Sequence, residues 1–305
     1  MVGRKLRLGT RVEALVGAFL GALLGAAGIA AAAVLGGPAM AQEPPRPAPP
    51  AWMLSFTPYS WLAGLNGQTT AKGRTTEIDA GPFAVLEHLD GVPWMSFAEA
   101  RIGRLALYGD IVYAPVGADA SGVRALGGLT LDAGLGVQVE QTIAEAGVAF
   151  ELAKWRSGSV LGTGPTALDL LAGARYWRQD VEIHLALSAT LDVAGLALSG
   201  SRAVARAGTA EWVDPLVGLR IRHQLAPGQE LMLRGDVGGF DAGSTFSWNV
   251  VGAYSFEMAK HGGVTYAGIL GYRALAVDYQ KGSGASPYAY DVVQHGPLVG
   301  LKASF

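Results

Sequence analysis

From residue 52 onward, most of the chain alternates between apolar and polar residues. In LTLDAGLGVQVE, which runs from Leu129 to Glu140, every odd-numbered residue is apolar and every even-numbered residue is polar or glycine. The segments ELMLRGDVGGF and TFSWNVVGAYSF show the same period of two with some irregularity. A β-strand has this period because its successive side chains point to opposite faces. The pattern predicts an all-β protein.

Twelve alternating segments are separated by residues typical of turns. Short connections at Gly103, WRQD, APGQ and AKHG alternate with mostly longer ones. The count is twelve, or ten if residues 128–139 and 141–152 are a single irregular element that is not counted as a strand. Either even number returns both ends to the same side. The predicted strands are residues 52–64, 94–102, 104–114, 128–139, 141–152, 166–177, 181–190, 210–223, 229–239, 245–257, 263–279 and 289–305.

The composition indicates which face of these strands meets lipid. The chain is 50% hydrophobic and only 16% charged, and its mean hydropathy is +0.29. Such values are unusual for a soluble domain. Small and charged residues share one face across many strands, as a polar lumen with a lipid-facing exterior requires. Because an open sheet in lipid would leave backbone groups unpaired, we predict a closed transmembrane antiparallel β-barrel over residues 52–305.

The first 51 residues have a different character. A basic head precedes an apolar stretch from 14 to 37 and the small-residue triplet Ala39, Met40 and Ala41, which together predict a signal peptide over residues 1–41. The alternative is an uncleaved anchor, because residues 14–37 are long enough to cross a bilayer. Residues 42–51 contain five prolines and predict an extended tether. We expect the mature chain in the outer membrane of a Gram-negative bacterium.

The chain ends on the alternating segment HGPLVGLKASF, with Phe305 last. A terminal aromatic residue after such a strand resembles the signature that the barrel assembly machinery of Gram-negative bacteria is thought to read. The blocks SFTPYSWLAGLNG, FAEARIGRLALYGDIVY, LDLLAGARYW, WVDPLVGLR, RGDVGGF and LGYRALAVDY with YDVVQHGPLVGL resemble a family of uncharacterised, porin-like outer-membrane β-barrel proteins. The resemblance implies outer-membrane lipid and the assembly machinery as partners. It implies no chemistry.

The alternation places charges of both signs in the interior. Two interpretations are open: cross-strand pairs that fill the interior, or a charged constriction in a narrow pore. Inward glycines would either widen the lumen or receive a bulky neighbour. The further inward charges are Glu99, Arg101, Asp110, Asp132, Glu182 and His184. The candidates for lumen and selectivity residues are Asp169, Arg175, Asp214, Arg220, Arg222, Arg234, Asp236 and Arg273.

The segment IDAGPFAVLEHLDGVPW interrupts the strand pattern after the first strand. Its apolar residues recur every three positions, which predicts a short helix in the first long loop. The helix would be either a plug inside the lumen or a helix resting on the rim. The residues of the possible plug are Phe83, Leu86, Glu87, His88 and Leu89, with Asp90 as a further polar contact.

Three functions follow from these features. The first is a narrow passive channel for small polar solutes; the second is a closed structural or interaction barrel that acts through external loops at 65–93, 115–127, 153–165 and 191–209. The third, an outer-membrane lipid hydrolase, would need a Ser beside a lipid-facing His. No Ser adjoins His223 or His295 in a recognisable motif.

Motifs and charge restrict the remaining classes. The chain has no Cys and no HExxH, P-loop or dinucleotide motif, so we expect neither enzymatic activity nor a cofactor or metal. The formal net charge of -2 gives no electrostatic case for nucleic acid.

Overall fold

The computed structural model describes residues 52–71, 74–126, 129–156, 164–193, 196–282 and 288–305. The predicted signal peptide (1–41) and tether (42–51) lie outside these ranges. No helix in the described ranges has the length and hydropathy to cross a membrane. The elements are β1 (Met53–Trp61), β2 (Gly64–Ala71), β3 (Arg74–Ala80), α1 (Pro82–Glu87), β4 (Trp94–Ile102), β5 (Leu105–Leu126), β6 (Leu129–Arg156), β7 (Pro165–Val193), β8 (Leu196–Ala226), β9 (Gln229–Gly239), β10 (Phe246–His261), β11 (Val264–Lys281) and β12 (Tyr288–Ser304).

Ten of the strands form a closed antiparallel barrel. The ring runs from β1 to β4 and then in chain order to β12, which pairs with β1. At this junction Ser55 lies opposite Ser304, and Trp61 lies opposite Leu298. Closure gives each ring strand a hydrogen-bonded neighbour on both sides, as a barrel in lipid requires. Ten is the lower of the two predicted counts.

The strands β2 and β3 lie outside the ring. β2 continues along β12 beyond the end of β1, with Leu65 opposite Gln294. β3 pairs with β2, and Ala80 lies opposite Leu65. These two strands therefore extend one side of the wall, at the end of the barrel opposite Met53 and Phe305.

Two of the predicted breaks between strands are absent. Residues 128–139 and 141–152 belong to the single strand β6, and residues 166–177 and 181–190 belong to the single strand β7. The predicted turn at WRQD is therefore wrong, since Gln179 continues the ladder opposite Gln141. Arg178 and Asp180 lie on the outer face of β7, and Arg178 donates a 2.6 Å hydrogen bond to Asp180. The short turns predicted at Gly103, APGQ and AKHG are present.

The strands β5 to β8 are much longer than a membrane crossing needs. They contain 22, 28, 29 and 31 residues, whereas about 9–11 residues suffice. The predicted loops at 115–127 and 191–209 are wrong, because their described residues 115–126, 191–193 and 196–209 are strand. Residues 153–156, which belong to the predicted loop at 153–165, are also strand. They lie where β6 leads to β7, at the other end of the barrel from the β5–β6 tip. We call the end of the barrel with the β5–β6 and β7–β8 tips the hairpin end. The opposite end, where Phe305 pairs with Leu54, is called the terminal end.

The outer face of the ring is apolar and the inner face is polar. Leu107, Val148, Val217, Leu270 and Val299 point outward and are exposed. This arrangement reverses that of a soluble barrel and is typical of a transmembrane one. The apolar outer residues form what we call the belt.

The strand β11 is regular around Asp278. β11 pairs with β12 without a register shift from Thr265 to Lys281. Asp278 consequently lies on the outer face, opposite Asp291. The irregularities that do occur, such as the shift between Glu257 and Ala259, lie near the terminal end.

Candidate functional site

The interior of the barrel holds two networks of ion pairs, and the one nearer the terminal end centres on Asp169. This carboxylate is fully buried. It accepts hydrogen bonds from Arg101 at 3.1 Å, from Arg220 at 2.9 Å and from Arg222 at 3.1 Å. Two further acids complete the terminal-side network, because Glu99 pairs with Arg220 and Glu151 pairs with Arg222. Three arginines thus meet three carboxylates.

The second network, which we call the central network, begins with Arg175. Its guanidinium donates to Glu145 at 2.8 and 3.1 Å and to Asp236 at 2.6 Å. Arg234 bridges the same two carboxylates from the other side. Both arginines are buried. Each carboxylate therefore binds two guanidinium groups.

Asn249 links this pair of arginines to a third. Its amide donates to Asp236 at 2.9 Å, and its carbonyl accepts from Arg273 at 3.0 Å. Arg273 also donates to Asp110 at 2.7 Å, and Asp110 accepts the Tyr59 hydroxyl at 2.7 Å. The central network again contains three arginines and three carboxylates.

Each of the two networks contains equal numbers of arginines and carboxylates. Arginine suits such sites because its planar fork binds carboxylates in fixed directions. Once paired charges are buried, removing one partner is costly because the other stays uncompensated. A neutral, mutually bonded set of charges stabilises packing and differs from the rings of one sign that select ions.

An aromatic layer covers the central network on its hairpin-end side. Trp177 stacks on Trp212 with ring centroids 5.5 Å apart, and Trp212 stacks on Tyr279 at 3.9 Å. All three rings are buried. Trp61 belongs to the same buried cluster, and Arg273 lies over its ring at 4.9 Å, so the cluster and the network are in direct contact. Aliphatic neighbours including Val112, Ile143, Leu275 and Val277 complete this cluster.

Inward glycines make room for bulky neighbours. A Cβ atom at Gly147 would lie 2.6 Å from the Tyr108 hydroxyl, so the Tyr108 side chain occupies the space above the glycine. A Cβ atom at Gly218 would lie 2.5 Å from the Cβ of Asp236. At these two positions the glycines receive side chains and do not widen the lumen.

Asp214 has a different role from the other predicted lumen residues. Its buried carboxylate accepts the backbone N–H of Ser244 at 2.7 Å and the Ser244 hydroxyl at 2.8 Å. These bonds hold the turn after β9, where Phe240 and Asp241 adopt positive φ angles of 52° and 59°. The sequence DAGS at residues 241–244, directly after β9, is typical of a turn.

The structure therefore distributes the eight candidates among three places. The terminal-side network contains Asp169, Arg220 and Arg222, the central network contains Arg175, Arg234, Asp236 and Arg273, and Asp214 binds the turn. Glu145 and Glu151 were not among the predicted residues, although both share the alternation of Gln141 and Gly147 on β6.

Glu182 and His184 do not lie in the interior. Because β7 continues through Arg178 and Asp180, the alternation keeps its phase and places these two residues on the outer face. They pair with each other at 3.4 Å and are both about half exposed. Asp132 lies in a part of β6 whose side chains the structure does not describe.

The predicted helix is present but does not enter the lumen. α1 has no buried residue, and Phe83 is 74% exposed. The backbone after the helix docks on β5, where the carbonyl of His88 accepts the Gly117 N–H at 2.8 Å and Leu89 bridges Val116. The plug interpretation of Phe83, Leu86, Glu87, His88 and Leu89 is wrong, and α1 lies on the rim.

The two histidines considered for lipid hydrolysis lie on the outer face. His295 contacts the Tyr272 hydroxyl at 2.7 Å and Asn66 at 2.8 Å. His223 contacts the Thr166 hydroxyl at 2.8 Å. Neither of these contacts supplies the serine that the sequence analysis required.

Phe305 extends the seam between β1 and β12. Its N–H donates to the carbonyl of Leu54 at 2.8 Å, so the last residue still pairs with β1. The proposed role of this residue as an assembly signature stays a prediction.

Comparisons with known proteins return solved barrels at low similarity. No family model and no curated protein matches the chain. Solved structures that resemble it include the attachment invasion locus protein Ail of Yersinia pestis, at 10% identity and TM-score 0.29 over 83% of this chain and 98% of that one. A FadL homologue of Pseudomonas aeruginosa is 9% identical with TM-score 0.28, covering 84% and 90% of the two chains. OmpT, an outer membrane protein of Vibrio cholerae, is 10% identical with TM-score 0.21, covering 84% and 99%. Because every TM-score is below 0.5, these likenesses support no statement about function.

Proposed function

We propose that this protein is an outer-membrane β-barrel with a closed interior that acts through its tall hairpins, β5–β6 and β7–β8. In this proposal residues 1–41 are removed near Ala41 and the terminal end faces the periplasm. The hairpin end then faces outward from the cell. Outer-membrane lipid and the barrel assembly machinery are the expected partners.

The proposal rests on the bonding and burial of the candidate selectivity residues. Arg175, Arg234 and Arg273 are bonded to carboxylates, buried, and covered by the aromatic layer. An ion passing this level would have to break paired charges and displace stacked rings. A ten-stranded ring is also close to the size at which side chains fill the interior. A narrow channel for polar solutes is therefore the weaker proposal.

The hairpins supply the part of the molecule that the membrane does not require. About 9–11 residues of each strand cross the hydrocarbon, and the remainder of β5 to β8 extends past the rim. These strands form an ordered antiparallel ladder in which Gly117 lies opposite Gln138 and Val181 lies opposite Gly208. Such a surface is suited to contact with a partner or with neighbouring components of the envelope.

The first test is single-channel conductance. Residues 42–305 would be refolded in detergent and inserted into a planar bilayer at two salt concentrations, with folding verified by heat-modifiable gel mobility. We expect no discrete openings from folded barrels. Openings whose ion preference changes in Arg234→Ala, but not in Arg178→Ala on the outer face, would overturn the closed interior in favour of a channel.

The second test separates the hairpin from the barrel. Since Gly117 lies opposite Gln138, residues 118–137 would be replaced by Asn-Gly, a sequence that favours a tight hairpin turn. We expect this variant to fold and resist heat like the full chain because the ring is complete below the cut. Failure to fold would show that the hairpin is part of the barrel's own stability.

A further inference from the structure

Residues 82–94 expose an unusual number of apolar side chains for a segment on the hairpin-end rim. The exposed fractions are 74% for Phe83, 46% for Leu86, 83% for Val92 and 54% for Trp94. Water-exposed apolar groups that cluster in one segment normally mark a contact surface. The question is what covers them.

The segment adjoins the lipid-facing belt directly. Trp94 begins β4 on the outer face and lies opposite Tyr113, so the two aromatic residues form the upper edge of the belt on these strands. Aromatic residues are enriched at this level of a membrane barrel. From Trp94 the chain leads back through Val92 to α1 without entering the interior.

The polar side of the same segment binds the outside of the barrel wall. The Asp90 carboxylate accepts the Gln138 amide at 2.8 Å, and the Asp90 N–H donates to the carbonyl of Pro115 at 3.1 Å. A Cβ atom at Gly117 would lie 3.1 Å from the Cβ of Asp90, which shows how closely the two segments approach. The segment is thus fixed to the base of the β5–β6 hairpin, and its apolar residues are left exposed.

We propose that residues 82–94 form an interfacial segment whose Phe83, Leu86 and Val92 insert into the lipid leaflet beside the hairpin end. The inference rests on the proposed membrane location. Lipid is the occupant because the exposed residues continue the belt through Trp94, and an apolar face next to a lipid boundary is buried by acyl chains and headgroups. As a consequence, the base of the β5–β6 hairpin gains an additional attachment to lipid through the contacts of Asp90 and His88.

The absence of Cys from the chain allows a clean test with single-cysteine variants. Phe83→Cys would be compared with Leu107→Cys in the belt and with Thr75→Cys on the exposed part of β3. Each variant would carry a nitroxide label in phosphatidylcholine vesicles, after folding is verified by heat-modifiable mobility. Accessibility to oxygen, which concentrates in lipid, and to a water-soluble nickel complex would be measured.

We expect the label at position 83 to resemble the label at 107, with high oxygen and low nickel accessibility, and the label at 75 to show the reverse. A water-exposed label at 83 beside a lipid-exposed label at 107 would overturn the insertion and leave the membrane location intact. A water-exposed label at 107 would overturn the membrane location itself. Low accessibility to both reagents at 83 would indicate a protein contact, such as a second copy, and would also overturn the inference.

Discussion

Arg175 of β7 and Glu145 of β6 lie directly opposite each other in the strand pair, and two hydrogen bonds of 2.8 and 3.1 Å join their side chains. Both side chains are almost entirely excluded from solvent. Such a pair resists separation because neither charge can return to water without opening the barrel. At the level of this pair, the interior of the barrel is therefore filled by salt bridges.

The first prediction concerns this pair. Arg175→Leu leaves Glu145 and Asp236 with one guanidinium between them, so we expect a loss of about 3–5 kcal/mol in the free energy of unfolding. Urea unfolding in detergent, followed by tryptophan fluorescence, would measure it. The matched control is Arg178→Leu, whose ion pair with Asp180 is solvent-exposed and should contribute little to the free energy of unfolding. Equal losses in both variants would contradict the buried network.

The second prediction concerns the aromatic layer. Trp212 is stacked between Trp177 and Tyr279, so Trp212→Ala leaves a cavity and should cost about 3–5 kcal/mol. The near-ultraviolet circular dichroism of the stacked rings should fall at the same time. Trp94→Ala removes an outward ring at the rim and serves as the control, with a smaller loss and little spectral change. Retention of the aromatic signal without Trp212 would argue against the stack.

The third prediction concerns the glycine under Tyr108. Gly147→Ala would bring its Cβ within 2.6 Å of the tyrosine hydroxyl, and overpacking of this kind costs about 1–3 kcal/mol. Gly109→Ala is the control, because its Cβ would meet only a carbonyl at an ordinary 3.6 Å. Adding Tyr108→Ala to Gly147→Ala should relieve the part of the clash that involves the tyrosine, while the contact with the carbonyl of Ala172, also at 2.6 Å, stays. A coupling close to zero in the double-mutant cycle would refute the Tyr108 contact. Thermal unfolding gives the comparison.

The fourth prediction concerns the turn that Asp214 holds. Asp214→Ala removes two hydrogen bonds to a charged acceptor, each worth about 1.5–3 kcal/mol, so the turn should open more often. Chymotrypsin cleavage after the exposed Phe240 should become at least about tenfold faster. Asp241→Asn, in the same turn and exposed, is the control, because asparagine also tolerates the positive φ angle of this position. An unchanged cleavage rate in Asp214→Ala would show that the turn is held by other contacts.

Several features of this fold are local and were predictable for that reason. The alternation of Val299 and Leu301 with Gly300 and Lys302 determines which face of β12 meets lipid, because successive residues on a strand point to opposite sides. The same rule correctly placed Arg175, Arg234 and Arg273 inside. The helix at residues 82–87 was also readable from the spacing of its apolar residues.

The number of strands in the ring could not be predicted from the local sequence alone. The run WRQD has the composition of a turn, yet Gln179 lies within β7 because β6 offers a partner at Gln141. Whether a polar segment ends a strand or continues it beyond the membrane depends on the length of the strand beside it. This is why Glu182 and His184 were assigned to the wrong face.

By itself, the sequence determined that the chain forms a barrel with an apolar exterior and charged inward positions. The alternation of side chains along one strand can be recognised without knowing which strands lie beside it. Only the tertiary structure decided that these charges neutralise one another, that Asp214 binds a turn, and that α1 lies on the rim. Each of those outcomes depends on which residues the register brings together across strands, and that register is a property of the closed ring.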